Sequence, residues 1–186
     1  MKAITIKQPY AYMICAGIKP IENRTWKTNF RGRVLIHTSA KPNTYPLDMV
    51  FTQLQLDEML KHNTENYWCG HKEFGAKYYD SAIIGSVEIV DCVQNHPSIW
   101  AEKDVWHWVL ANPVLFTKPI ENIKGKLSFW ESGYEVCHIC GQHTHPECIC
   151  DDCDEHYCID CSALYNQFTQ IDYSCCKRCA VNKYDK

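Results

Sequence analysis

Two features of membrane and secreted proteins are missing from this sequence of 186 residues. No apolar run approaches the ~20 residues that a membrane-spanning helix requires. The N-terminus also lacks the apolar core of a signal peptide. We therefore expect a protein of the cytoplasm, or of the nucleus in a eukaryote, that has no membrane partner.

Cysteine is scarce in the first 134 residues, where only Cys15, Cys69 and Cys92 occur, whereas ten cysteines fall in the last 52. Charge changes at the same place. Residues 1–134 hold 15 Lys and Arg against 13 Asp and Glu, and residues 135–186 hold 4 against 9. The net charges are therefore +2 and −5, which predicts one domain over 1–134 and a cysteine-rich module over 135–186.

The first domain lacks a repeating strand–helix period and so does not predict a parallel sheet. Several short strands with one or two helices favour a mixed α+β barrel. The predicted elements are a strand at 1–7, a helix from Pro9 to Gly17, a strand at 34–38, a helix at 48–62, a long loop at 65–79, a strand bent at Gly85 over 81–93, a strand at 106–110 that Asn112-Pro113 ends, a strand at 114–120 and an apolar segment at 127–130.

The segment from Gly17 to Trp26 concentrates charge beside an aromatic residue. Side chains on a strand repeat every two residues, so Glu22 and Arg24 would share one face if this segment is extended. Such a pair can be a simple ion pair, which contributes little stability when exposed. It can equally belong to a polar site for a base or a phosphate, and the sequence leaves both interpretations open.

The ordered motifs of this domain resemble the ASCH domain, a member of the PUA-like β-barrel superfamily. The family motif GxKxxExR is matched at every specified position by Gly17, Lys19, Glu22 and Arg24. The other matching segments are Gln8-Pro9-Tyr10-Ala11, Arg31-Gly32-Arg33, Ile84-Gly85-Ser86-Val87, Asn112-Pro113, Lys124-Gly125-Lys126 and Trp130. The resemblance implies a PUA-like mixed β-barrel with flanking helices.

The resemblance also implies binding of RNA or a nucleotide derivative in a cleft beside the motif. Because this domain is nearly neutral, a small patch with a pocket is expected rather than non-specific duplex binding. Glu22 would accept a hydrogen bond from a base amino group or carry a proton. Phosphates would contact Lys19, Arg24, Arg31 and Arg33, and unpaired bases would stack on Tyr10 and Trp26. In the contrasting interpretation Glu22 and Arg24 form a buried ion pair, Trp26 belongs to the core, and the barrel is only a scaffold.

Whether the protein is an enzyme stays open. One branch that resembles this family removes the acetyl group of N4-acetylcytidine with a Lys, a Thr and a Glu. Lys19 matches that Lys, but Glu22 stands where the Thr is expected, and only Glu73 and Glu88 offer a second carboxylate. Another branch is linked to RNA cleavage, which needs a general acid and base such as Lys19, Glu22 or His37. If the protein is an enzyme, Lys19 and Glu22 are the expected catalytic residues.

Four CxxC pairs in the last 52 residues predict two structural Zn²⁺ ions, because a tetrahedral zinc needs two such pairs. Sites closed by four cysteines leave no position for a reactant, and the metal supplies folding free energy to a segment with few aliphatic residues. Cys148 is a spare thiol or a substitute ligand, and Cys175 is an alternative to Cys176. The ligands are Cys137, Cys140, Cys150, Cys153, Cys158, Cys161, Cys176 and Cys179.

The spacing of these pairs resembles the cross-braced zinc modules of FYVE, PHD and RING type. That resemblance implies that the first and third pairs share one ion and the second and fourth share the other; sequential pairing is the alternative. Residues 145–156 are acidic where lipid-binding FYVE domains are basic, which disfavours a lipid and suggests a basic peptide or protein partner, or docking on the first domain. A zinc-finger adaptor is thus a contrasting function.

Overall fold

The computed structural model describes residues 1–41, 47–62, 79–162 and 175–184. It separates into two compact units, one of residues 2–131 and one of residues 132–186 together with Met1. The loop expected at 65–79 lies, apart from Tyr79, outside the described residues.

A six-stranded sheet forms the first unit, with the strand order β2-β5-β4-β3-β1-β6. β1 and β3 are parallel, and the other neighbouring strands are antiparallel. The sheet curls into a half-barrel, so the expected mixed α+β fold is confirmed. The strands are β1 (Lys2–Ile6), β2 (Ile21–Arg24), β3 (Gly32–Thr38), β4 (Ile83–Val93), β5 (Trp106–Ile120) and β6 (Phe129–Glu131).

In the described part of the first unit three short helices accompany the sheet: α1 (Tyr10–Cys15), α2 (Leu47–Val50) and α3 (Gln53–Lys61). The single helix predicted over 48–62 is therefore two helices. Thr52 separates them because its side chain caps the start of α3 through a capping box with Gln55. None of the described helices is long and apolar enough to cross a membrane.

The core of the half-barrel lies between the inner face of the sheet and α1. Ile14 and Cys15 of α1 are buried against apolar side chains of β1, β3 and β4. Gly85 makes this packing possible, because a Cβ there would lie 2.3 Å from the Val114 carbonyl oxygen and 2.7 Å from Cys15 Sγ. The β4–β5 pairing shifts register beside it, as expected of a bulge.

The prediction that Asn112-Pro113 ends a strand is wrong. β5 runs continuously from Trp106 to Ile120, and Asn112 takes a positive φ of 47° within it. Repeated register shifts between β4 and β5 accommodate the irregular backbone, because a bulge leaves one residue of a strand unpaired. The strand therefore bends without stopping.

The second unit contains little regular structure among its described residues. A hairpin of β7 (Glu135–Val136) and β8 (His143–Thr144) is followed by a 3-10 turn at Ile159–Cys161 and helix α4 (Lys177–Tyr184). Isolated bridges join Ile149 to His156 and Ser162 to Cys176. The buried side chains of this unit are mostly cysteines.

Candidate functional site

The motif segment leaves α1 and enters β2. Gly17 lies just beyond the helix with φ +78°, a conformation that favours glycine after a helix C-terminus. Pro20 then directs the chain into β2, where Glu22 and Arg24 share one side of the strand. This short path fixes Lys19, which is only 2% exposed, between the helix and the strand.

Lys19, Glu22 and Arg24 form one chain of charges. Lys19 Nζ donates to Glu22 Oε2 at 3.1 Å and to the Ile21 carbonyl at 2.6 Å. An Arg24 Nη atom lies 3.1 Å from Glu22 Oε1, so both carboxylate oxygens are engaged. The predicted pairing of Glu22 with Arg24 is present, and Lys19 extends it to a buried triad with a net charge of +1.

Arg24 also joins two strands that are not neighbours in the sheet. Its Nη2 donates to the Thr5 carbonyl of β1 at 3.1 Å, while Arg24 itself belongs to β2. Its guanidinium lies 5.7 Å from the ring centre of Trp108. The curl of the sheet therefore brings β2 and β1 together, and this arginine holds them across the gap.

A cavity of about 720 Å³ opens beside the triad. Residues from six separate parts of the described chain line it. The lining residues are Thr5, Ile6, Lys7, Tyr10, Lys19, Glu22, Asn23, Arg24, His37, Ser39, Ala40, Ser81, Glu102, Lys124, Gly125, Lys126, Leu127 and Ser128.

The charges around this cavity are mainly positive. Lysines and arginine contribute five cations to its lining and glutamates contribute two anions. Lys7, Lys124 and Lys126 are exposed, and none of them pairs with a carboxylate in the part of the chain that the structure describes. We call these three residues the rim lysines. The cavity thus offers an anion a positive environment even though the whole domain is nearly neutral.

Tyr10 and Glu102 give the cavity an aromatic surface and a second carboxylate. The Tyr10 ring lies 5.8 Å from Lys19 Nζ, and burial together with the charges of Glu102 and Glu22 raises the pKa of its hydroxyl. Glu102 Oε1 accepts a hydrogen bond from the Asn23 side chain at 3.1 Å. Glu102 can therefore accept further hydrogen bonds, whereas both carboxylate oxygens of Glu22 are already engaged.

His37 lines part of the cavity and is tightly packed there. Its Nε2 lies 2.9 Å from the Ile123 carbonyl, which fixes that nitrogen as the donor, and burial lowers the pKa of the ring. Its Nδ1 is buried and has no hydrogen-bond partner among the described residues. A Cβ on Gly125 would lie 2.5–2.8 Å from His37 and from Thr5 Oγ1, so only glycine fits. The histidine is a packed residue rather than an exposed acid or base.

Three of the residues predicted to bind nucleic acid do not line this cavity. Trp26 packs edge-on against Trp108, with ring centres 4.6 Å apart, although 37% of it remains exposed. Arg31 pairs with Asp91 at 2.8 Å. The remaining arginine, Arg33, pairs with Glu88 at 3.0 Å.

Two carboxylates weighed from the sequence, Glu88 and Glu73, are not among the lining residues that the structure describes. Glu88 belongs to the ion pair with Arg33 outside the cavity, and Glu73 lies outside the described residues. The sequence reasoning missed Glu102, Asn23 and Lys7, which carry no motif of their own. Lys124 and Lys126 carried a signal, since their segment was one of the ordered family features, but it had no assigned role.

The cysteine-rich unit brings its eight predicted ligands into two groups of four. Within each group the sulfur atoms all lie within 4.8 Å of one another. The grouping is interleaved along the chain, and Cys148 and Cys175 belong to neither group. One group is Cys137, Cys140, Cys158 and Cys161, and the other is Cys150, Cys153, Cys176 and Cys179.

The sulfur geometry fits zinc. A Zn–S distance of about 2.3 Å in a tetrahedron places the sulfurs about 3.8 Å apart. The sulfurs of Cys140 and Cys158 are 3.6 Å apart, and those of Cys153 and Cys176 are 4.0 Å apart. Both values exceed the ~2.05 Å of a disulfide, and these cysteines are free thiols. Each group can hold one ion.

Backbone N–H groups lower the pKa of one thiol in each group of four. Burial acts to raise the pKa of Cys137, but hydrogen bonds from the backbone of Cys140, Cys158 and Ile139 outweigh it and lower the pKa to about 7. At Cys150, hydrogen bonds from backbone N–H groups likewise outweigh the effect of burial and lower the pKa to about 7. The thiolate form is the one that binds metal.

Comparison with known proteins identifies a family for the first unit. A sequence model of the ASCH domain matches residues 4–120. Activating signal cointegrator 1 from Homo sapiens is 27% identical over 135 residues, which is 69% of this chain. The corresponding protein of Mus musculus gives the same identity and coverage. The chain spans 22% of the length of each relative.

Proposed function

We propose, from the premise that this chain belongs to the ASCH domain family, that its half-barrel binds RNA or a nucleotide derivative in the cavity beside Lys19, Glu22 and Arg24. The supporting observation is a cavity of about 720 Å³ with five cations in its lining. Small-molecule sites are typically about 300–1,000 Å³, so one nucleotide fits this volume.

Different residues of the cavity would bind different parts of a nucleotide. Tyr10 supplies an aromatic surface on which an unpaired base can stack. Glu102 accepts hydrogen bonds from base amino or imino groups, because Glu22 is already bound to Lys19 and Arg24. Three predicted residues lie outside the cavity lining and would contact the nucleotides that flank the bound one: Arg31, Arg33 and Trp26.

Binding is tested by titrating the ¹⁵N-labelled full chain with cytidine 5′-monophosphate and with a short single-stranded RNA. We expect amide shifts at Lys19, Glu22 and Arg24. The variant Tyr10→Leu should weaken binding at least about fivefold, since stacking contributes roughly 1–3 kcal/mol per base. For cytidine 5′-monophosphate, which has no flanking nucleotide, Trp26→Leu outside the cavity should change the affinity less than twofold. Absence of shifts at millimolar ligand, or equal losses in the two variants, contradicts the proposal.

A second candidate function is hydrolysis of N4-acetylcytidine-type nucleosides. It is favoured by the presence of a buried lysine and the carboxylate of Glu102 in one cavity. Against it, Glu22 stands where the related enzymes use Thr, and Lys19 Nζ already donates to two acceptors. Incubation with N4-acetylcytidine, with Lys19→Ala as control, decides it: acetate release by the wild type alone would make the protein a hydrolase that depends on Lys19.

For the second unit, we propose a module of residues 135–186 that holds two structural zinc ions in a cross-brace of FYVE, PHD or RING type, with the ASCH domain spanning 1–134. The two interleaved groups of four cysteines support it. Such thiolates persist in a reducing compartment, which agrees with a cytoplasmic or nuclear protein.

The acidic surface of this module suggests a basic peptide partner, and an adaptor role is the alternative to nucleic-acid binding. Fluorescence anisotropy with a labelled lysine-rich peptide tests it, with a peptide of the same length in which glutamate replaces lysine as control. Saturable binding of the lysine-rich peptide alone, lost on chelation of zinc, supports the adaptor.

A further inference from the structure

We propose that the rim lysines, Lys7, Lys124 and Lys126, form a phosphate-binding site, so that the cavity selects phosphorylated nucleosides over free nucleosides. This inference rests on the proposed nucleotide-binding function of the cavity. It assigns the phosphate to residues outside the GxKxxExR motif.

The cations of the motif and the neighbouring arginines are already engaged. Lys19 and Arg24 share the two oxygens of Glu22. Arg31 and Arg33 are paired with Asp91 and Glu88 outside the cavity lining. An incoming phosphate would compete with a carboxylate at each of these four cations.

A phosphate that binds the rim lysines competes with no carboxylate of the described residues. All three are exposed at the cavity, and none has a carboxylate partner among the residues described. A phosphate monoester carries about −1.5 to −2 charges at pH 7, which three ammonium groups can neutralise. Exposed lysines can also adjust to a phosphate as mobile point charges.

The segment that carries two of these lysines is held in a fixed position. Thr5 Oγ1 donates to the Lys126 carbonyl at 3.0 Å, which ties this segment to β1 just before Lys7. Gly125 allows close approach, since any Cβ would meet His37 and Thr5 at 2.5–2.8 Å. The fold therefore places the three lysines in the lining of one cavity although more than a hundred residues separate Lys7 from the others.

The first test compares cytidine 5′-monophosphate, cytidine and inorganic pyrophosphate on the full zinc-loaded chain by calorimetry and NMR. The triple variant Lys7→Ala/Lys124→Ala/Lys126→Ala is compared with Lys27→Ala/Lys103→Ala/Lys118→Ala, which removes the same charge outside the cavity lining. We expect the wild type and the control to bind the monophosphate roughly five- to hundredfold more tightly than cytidine, as for three exposed charge contacts. In the rim variant this ratio should fall towards one.

The outcomes separate this inference from the proposed function. Equal affinity of the wild type for the monophosphate and cytidine overturns the phosphate site and leaves nucleoside binding intact. If neither nucleoside nor nucleotide binds, pyrophosphate decides: amide shifts at Thr5, Lys7 and Gly125 that the rim variant loses support the anion site alone. Without those shifts both ideas fail. Equal loss in the rim and control variants also overturns the site, since it would show a general charge effect.

The second test distinguishes a free nucleotide from the phosphates of a strand. For single strands, the logarithm of affinity falls with the logarithm of salt by about 0.7 for each phosphate contacted. If the rim lysines contact RNA phosphates, the triple variant should reduce that slope for a short RNA by up to about 2, and the control variant should not. An unchanged slope with a loss of monophosphate binding identifies a mononucleotide ligand.

Discussion

The sharpest prediction concerns the variant Glu22→Gln, which keeps the shape of the side chain and removes its charge. Lys19 is only 2% exposed, and Glu22 is the one carboxylate that contacts it in the described structure. After the substitution a buried ammonium group retains only neutral acceptors. We therefore expect a marked loss of stability of the half-barrel.

The magnitude follows from the burial of the pair. Removing one partner of a buried ion pair costs about 3–5 kcal/mol, because the other charge is left uncompensated. Glutamine can still accept a hydrogen bond from Lys19, which places the loss near the lower end, at about 3 kcal/mol. For a domain of this size that corresponds to a fall in Tm of roughly 10 °C.

Equilibrium urea unfolding of the full chain measures this loss. All six tryptophans precede residue 131, so tryptophan fluorescence reports the half-barrel and is silent on the cysteine-rich module. The double variant Lys19→Met/Glu22→Gln removes the buried charge together with its partner. It should therefore recover at least half of the lost free energy of unfolding, because replacing a buried pair is often neutral.

The reasoning is refuted if Glu22→Gln and Lys19→Met each cost less than about 1 kcal/mol and their effects add in the double variant. Additive effects would mean that the two side chains do not interact. The same result would show that water reaches Lys19 in solution.

Three further predictions test the cavity wall and the cysteine groups. Gly125→Ala should lower the free energy of unfolding by about 1–3 kcal/mol, because the added methyl group overlaps His37 and Thr5; an unchanged urea midpoint would contradict the packing. Burial lowers the pKa of His37 below 6.5, so its protonation favours the unfolded chain. The free energy of unfolding should therefore fall as the pH drops below 6.5, by at most about 1.4 kcal/mol per pH unit. A His37→Asn variant should lose this part of the pH slope, and an identical slope would be a contrary result. Native mass spectrometry should find two zinc ions in the wild type and in Cys175→Ser, and one in Cys176→Ser; equal metal content in the two variants would reject the assigned grouping.

The sequence predicted those parts of the molecule that depend on local patterns. Alternation predicted β1, and helical spacing predicted α1 with its end at Gly17. The side chains of Glu22 and Arg24 fall on one face because strand periodicity requires it. The four CxxC pairs predicted eight clustered sulfurs for an equally local reason.

The cavity lining was less predictable because it depends on how distant segments meet. No local pattern places Lys7, Glu102 and Lys124 around one space; the curl of the sheet does so. Asn112-Pro113 misled for a similar reason. Proline often ends a strand, but here a bulge accommodates it within β5. The two strands tolerate this bulge because β4 and β5 pair over most of their length.

The hydrogen bond from Arg24 to the Thr5 carbonyl joins two residues that both line the cavity. It ties together two strands that have three other strands between them in the sheet order, so moving the two apart at this point breaks the bond. Breaking a hydrogen bond from a charged group costs about 1.5–3 kcal/mol. If the cavity binds a nucleotide as proposed, a ligand that pushes β1 and β2 apart would lose that amount of binding free energy. We therefore expect this contact to favour an unpaired base over a wider base pair, without any contact to the base edges.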